Sequence, residues 1–280
     1  MRQINTAKVT DLVEELCIRA NCHLSDDIFH CLGECCKKEQ SPLGKDILNT
    51  LVENAKIARE GNDPICQDTG MTVVFVTIGQ EVHIEGGFLE DAINEGVRRG
   101  YEKGYLRKSV VKDPLDRVNT KDNTPAVVHY ELVPGDVFHL VVAPKGFGSE
   151  NMSQLKMLKP SQGLPGVKDF VIQTVSEAGA NPCPPIIVGV GIGGTMEKAA
   201  FLAKKALLRP VGQPSENPEL AKLEAELLEM INGLGIGPAG FGGTTTAMSV
   251  NILTYATHIA GLPVAVNLGC HVTRHAEGDL

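Results

Sequence analysis

A mixed α/β fold, with a helical N-terminal lobe ahead of a larger α/β lobe, is the class this sequence predicts. Three observations carry it. Apolar residues recur at helical spacing from Val9 to about Arg59. Beyond them, β-branched runs of strand length alternate with stretches of renewed helical periodicity. Thirty glycines and sixteen prolines punctuate the chain, which demands many tight turns. Residues 1–60 form the helical lobe and residues 61–280 the α/β lobe, and the two are expected to pack as one unit. No internal repeat or low-complexity tract stands out.

Leu12, Val13 and Leu16 mark a first helix, Ile28, Phe29 and Leu32 a second, and Ile47, Leu48, Leu51, Val52 and Ala55 a third. Ser25 before Asp26-Asp27 is the predicted cap of the second helix, and Ser41-Pro42 opens the third. MTVVFVTIG reads as a strand, and Leu89 to Tyr101 as a helix. AVVHYELV and DVFHLVVAPKG predict a hairpin turning through Pro134-Gly135. The glycine loop GFGSEN and a polar stretch to about Gly166 follow, and then a helix in VKDFVIQTVSEAG. PPIIVGVGIGGT supplies a short buried strand and a glycine turn, and Met196 to Leu208 a helix. ENPELAKLEAELLEMINGL is the clearest amphipathic helix, with Pro218 near its first turn and Gly233 near its end. The last segment combines another glycine turn with apolar runs, and in LTYATHIAGLP the spacing is helix-like.

With 42% hydrophobic residues the chain can bury a real core, built from Val, Ile, Leu and Ala because there is no Trp and only 4% aromatic content. A formal charge of −8 disfavours nucleic acid and anionic membranes as partners, so an anionic substrate would need locally concentrated positive charge. The N-terminal MRQINTAKVTDLVEEL lacks the apolar core of a secretory signal, and no stretch approaches 18 apolar residues. A soluble cytoplasmic protein is expected. In that reducing compartment the eight cysteines are thiols or metal ligands rather than a disulfide framework.

Cys17, Cys31, Cys35 and Cys36 fall in helical segments, with Cys22 between them, and read as small buried apolar residues. Zinc is not indicated, because no CxxC pair or histidine at finger spacing accompanies them. Cys66 in ICQDTG, Cys183 in NPCPPI and Cys270 in LGCH differ. Each stands among Gly, Pro and small polar residues, at an element edge where backbone N–H groups can face sulfur. They read as loop-borne ligands of one metal centre.

Several longer motifs then occur in one order: CQDTG (66–70), LRKSVVKDPL (106–115), NTKDNTP (119–125), GSEN (148–151), NPCPP (181–185), GVGIGGT (189–195) and LGCH (268–271). Together they cover nearly the whole chain. The set resembles the α-type half of the iron-sulfur hydro-lyases, which comprise class I fumarases and L-tartrate dehydratases. The resemblance implies an oxygen-sensitive [4Fe-4S] cluster held by Cys66, Cys183 and Cys270, its fourth iron left for substrate as a Lewis acid. It also implies a separate β subunit that completes the active site, in an α2β2 assembly, because this chain stops ten residues after Cys270.

By the same resemblance Asp68 transfers a proton, Gln67 and Arg107 bind substrate carboxylates, Gly148 lets the backbone approach the substrate, and His258 reaches it. From the residues alone Asp68 is a turn aspartate and His258 a core histidine on an apolar face. Ser149 and Glu150 are expected to support the site. The expected substrate is a small dicarboxylate, fumarate/malate first, with L-tartrate or mesaconate as the alternative. Gly189, Gly191 and Gly194 also satisfy G-x-G-x-x-G, which raises a nicotinamide-dependent oxidoreductase as a rival. The acidic residue that should end a second strand is missing, so this turn is assigned to structure, with Thr195 capping the next helix.

Overall fold

In the computed structural model, which describes residues 2–280, the chain is mixed α/β, as the sequence predicts. The elements run β1 (Arg2–Asn5), α1 (Thr6–Cys22), α2 (Asp26–Lys38), α3 (Pro42–Gly61), β2 (Met71–Gly79), β3 (Val82–Glu85), α4 (Leu89–Lys103), β4 (Val127–Val133) and β5 (Phe138–Lys145). They continue with the single helical turn α5 (Phe147–Glu150), then β6 (Gln154–Leu158), α6 (Gly163–Ala178), β7 (Ile186–Gly193), α7 (Met196–Ala206), α8 (Pro218–Asn232), β8 (Ala247–Tyr255), β9 (Leu262–Gly269) and β10 (Ala276–Asp279). Packing groups them into two units. One holds the chain through Ser25 together with Ala55–Phe147 and Arg274–Leu280; the other holds Asp26–Asn54 and Gly148–Thr273.

In the first unit the main sheet has the order β10-β5-β2-β4. Strand β2 pairs parallel with β4 and antiparallel with β5, so the two segments expected to form a hairpin are separated by a third strand. The physical reason is burial: β2 is apolar on both faces, from Thr72 to Val76, and takes the centre. Pro134-Gly135 still turns the chain, but it also closes on the turn after β2, where Glu81 N–H donates to the Gly135 carbonyl at 2.9 Å. A short parallel pair, β1 with β3, lies outside this sheet. Helices α1 and α4 bury Val9, Val13, Leu16, Ile93, Val97 and Tyr101 against Val74, Val76, Leu140 and Val142. They approach closely because Gly96 has no side chain: a Cβ there would stand 2.6 Å from that of Val13.

In the second unit the sheet order is β6-β9-β7-β8. Val188 and Val190 of β7 and Val264, Val266 and Leu268 of β9 bury against α6 and α8. The alternate residues of these strands face α7, where Ala265 packs on Ala199 and Ala203. Here the glycine run finds its use. Gly189 and Gly191 lie inside β7, and a Cβ on either would come within 2.1 Å of an α7 carbonyl, that of Ala203 or Ala199. They bring helix and strand together instead of cradling a phosphate. Thr195 occupies the N-cap position of α7, but makes no side-chain bond to the helix backbone; its hydroxyl donates to Glu197.

Several predicted ends hold. Asn217 caps α8 through a 3.0 Å bond from Glu219 N–H, with Pro218 in its first turn. Ser41 Oγ accepts Gly44 N–H at 3.2 Å. Ser25 does not cap, since its Oγ is buried without a hydrogen-bond partner. Strand β6 arises in the stretch read as polar loop; it is a short edge strand, with Lys156 and Met157 exposed. LTYATHIAGLP is not helical: it ends β8, and its Ala256–Ala260 loop is exposed.

Two carboxylates anchor the second unit. Glu39, 1% exposed, accepts Gln40, Ser41 and Thr244 N–H at 2.8–2.9 Å and the Thr244 hydroxyl at 3.1 Å. Burial pushes its carboxyl up, but these donors outweigh that and hold it down at about 2. Glu224 accepts Ile252 N–H at 2.7 Å and Ser215 N–H at 3.0 Å, and pairs with Arg209. The Ile252 bond ties α8 to β8, and the ion pair ties α8 to the segment after α7.

Candidate active site

Cys66, Gln67, Asp68 and Arg107 all belong to the first unit. The CQDTG turn leads into β2 and is fastened at nearly every residue. Asp68 Oδ1 accepts Gly70 N–H at 3.0 Å, an aspartate turn, while Oδ2 accepts Phe147 N–H at 2.9 Å. Asp68 N–H faces Cys66 Sγ at 3.4 Å. Gly70 is obligatory there: its φ is +77° and a Cβ would meet Lys145 N at 2.7 Å. Arg107 is brought beside the turn by its backbone, whose carbonyl accepts the Thr69 hydroxyl at 2.9 Å. Its guanidinium is exposed, as is Gln67.

Three residues that hold this turn were not singled out in the sequence. Asn123, fully buried and with φ of +62°, donates to the Gly70 carbonyl at 3.1 Å and accepts Ser109 N–H at 2.8 Å. It ties the LRKS strand of chain to the cysteine turn. Tyr101 donates to the Thr69 carbonyl at 2.6 Å, and burial pushes its phenol up so that it remains a donor. Arg274, 5% exposed, donates to the Asp68 carbonyl. The only advance signal was NTKDNTP, where Asn suits a left-handed turn residue.

Cys183, Cys270, Gly148 and His258 belong to the second unit. Cys183 is exposed, with φ of +56°, and is flanked by the cis Pro184-Pro185 bond. Its carbonyl accepts His271 N–H at 3.3 Å and faces His271 Nδ1 at 3.0 Å. Cys270 follows β9, whose Gly269 pairs with Ile187 at the start of β7. Cys183 and Cys270 therefore occupy the same end of this sheet. Gly148 lies against the NPCPP loop, with the Asn181 carbonyl 3.6 Å from where its Cβ would be. Glu150 pairs with Lys204 at 2.6 Å and accepts from Asn267 at 2.9 Å.

His258 is exposed, not a core histidine. It sits between β8 and β9 at the other end of the sheet: β9 alone puts eight residues, on the order of 26 Å, between this loop and Cys270. Its Nδ1 accepts Ala260 N–H at 3.2 Å.

Among the described residues no group of three or more His, Cys, Asp or Glu side chains converges for a metal ion. The donor chemistry nonetheless suits an iron-sulfur cluster. Cys66, Cys183 and Cys270 stand on turns, none in a disulfide and none buried. Cys17 and Cys22 contrast with them, because both are buried and burial pushes both thiols up, keeping them protonated. Cys31 and Cys35 stand one turn apart on α2, their sulfurs 4.0 Å from each other.

Turn-borne thiols, one beside a fixed carboxylate, stand on a mixed α/β scaffold, and the class to which such a chain is assigned, the hydro-lyases, comes from its family. The chain belongs to the fumarate hydratase (Fumerase) family, whose profile matches residues 10–279. It is 45% identical over 275 residues to a Methanocaldococcus jannaschii protein, covering 96% of each chain, which provisionally bears the name L(+)-tartrate dehydratase subunit alpha. The Escherichia coli L(+)-tartrate dehydratase subunit alpha is 37% identical over 277 residues, covering 98% of this chain and 90% of the relative. That of Shigella sonnei is 36% identical over the same length. No helix among the described residues is long and apolar enough to cross a membrane.

Proposed function

We propose that this chain is the α subunit of a [4Fe-4S] hydro-lyase that removes water from L(+)-tartrate, forming oxaloacetate through its enol. The observation that carries the substrate is the relatives' shared name over at least 90% of both chains. It favours the alternative over fumarate/malate, which the family description keeps as a second reading. A β subunit completes the active site, a reading that the relatives' subunit names support, and the assembly we propose is α2β2.

Cys66, Cys183 and Cys270 would hold the cluster. When bound, it supplies a Lewis-acidic iron that eases departure of a hydroxyl. The chain's own residues do the rest. Asp68 takes or returns the proton on the carbon beside a carboxylate: its two backbone bonds fix its direction, and each oxygen retains a second lone pair for a proton. Gln67 and Arg107, exposed beside the same turn, bind the substrate's carboxylates, Arg107 through its planar fork. Gly148 admits the substrate close to the backbone. His258 stands too far along its sheet to serve the Cys270 of its own chain, so we assign its contribution to a second copy in the assembly.

The test is anaerobic reconstitution of the α–β pair, assayed against L-tartrate, fumarate, malate and mesaconate. Tartrate should have the highest kcat/KM. Preference for fumarate or malate would restore the second reading, and an active complex lacking iron and sulfide would end the cluster assignment.

A further inference from the structure

The cleft around His258 holds a cationic group, Lys198. The Lys198 ammonium lies 4.8 Å from the Tyr255 ring centre and 5.0 Å from that of Phe201, half-buried and with no carboxylate of the described residues at ion-pair distance. Two aromatic faces hold a cation in place without neutralising it, and an ammonium has three N–H groups to direct elsewhere. Lys198 shares an open cleft of about 430 Å3 with Thr195, Glu197, Tyr255, Thr257 and His258.

The other polar groups of the cleft are already engaged. The Thr257 hydroxyl donates to the Gly194 carbonyl at 2.9 Å, and the Thr195 hydroxyl donates to Glu197, whose carboxylate is thereby turned toward it. His258 Nδ1 accepts the Ala260 N–H, so in the neutral ring the proton is on Nε2, which becomes a donor. A lysine ammonium and an imidazole N–H facing one cleft form a pair of donors that suits a carboxylate.

We infer that Lys198 is a further substrate-binding residue, which engages a carboxylate of the dicarboxylate together with His258. The inference rests on the proposed function, because it takes the diacid as the ligand. It is a role in binding rather than in proton transfer.

The test compares wild type, Lys198→Met and Lys198→Arg in the reconstituted α–β complex, with iron content measured in each. Losing one charge-assisted contact should raise the KM for tartrate about 10- to 100-fold. Iron content and kcat should stay within about threefold, and arginine should recover much of the loss. An unchanged KM in an active Lys198→Met complex overturns the inference and leaves the proposed function standing. If the wild type turns over no diacid, the proposed function fails instead. Calorimetric tartrate binding then decides on Lys198: at least tenfold weaker binding by Lys198→Met supports its role, and equal or absent binding overturns it.

Discussion

Asn123 donates its side-chain amide to the carbonyl of Gly70 at 3.1 Å, and so fastens the loop after Arg107 to the turn that carries Cys66 and Asp68. The bond is buried, and the other end of the same side chain accepts Ser109 N–H. Replacing Asn123 by Ala leaves the Ser109 N–H without this acceptor and the buried Gly70 carbonyl with only the longer Tyr101 hydroxyl contact at 3.2 Å, and places a Cβ-bearing residue without a polar side chain at φ of +62°. Urea unfolding should show a loss of about 2–4 kcal/mol. Asn123→Gly should recover only the backbone part. A loss under about 0.5 kcal/mol for Ala would mean the bond contributes nothing.

Cys66→Ser, Cys183→Ser and Cys270→Ser should each lose the cluster, whereas Cys17→Ser should keep it, since that thiol is buried among α1 and α4 side chains and stays protonated. Anaerobic iron and sulfide analysis of the purified variants checks this. Equal iron in all four would refute the ligand set.

Asp68→Asn should retain iron and fold but lower kcat by roughly 10²–10⁴-fold, the range for a lost acid-base group. The amide still accepts one of the two backbone N–H groups, so circular dichroism should change little. A kcat near wild type would reduce Asp68 to the turn aspartate it also is.

Glu39 gives a pH signature. Its carboxyl is held at about 2 in the fold, below its unfolded value of about 4.3. The stability it contributes, roughly 3 kcal/mol, is therefore fully present above the unfolded value and lost as pH falls toward 2. Glu39→Gln should be less stable than wild type at pH 7, with a gap that closes between about pH 5 and 2. Urea titrations of both proteins across that range measure the gap; a gap independent of pH would show that the charge is not what the Thr244 loop recognises.

Much of this protein was legible without coordinates, because local chemistry decides it. Helical periodicity placed α1, α2, α3, α4, α6, α7 and α8, and Pro218 announced a helix start, since periodic faces and first-turn prolines are properties of adjacent residues. The cysteine motifs likewise marked their turns in the sequence, and the family they resemble is the one to which the chain belongs.

Tertiary structure decided what depends on distant partners. Whether the segments flanking Pro134-Gly135 pair with each other turned on β2, a more buried strand that inserts between them. Whether Gly189 and Gly191 line a phosphate or a helix turned on α7 lying against β7. Asn123, Tyr101 and Arg274 converge on the CQDTG turn from positions 32 to 206 residues away, and no local pattern records a hydrogen bond closed over such a span. His258 followed the same logic: its apolar neighbours belong to a strand end and an exposed loop, and only the sheet's direction shows that it lies far from Cys270.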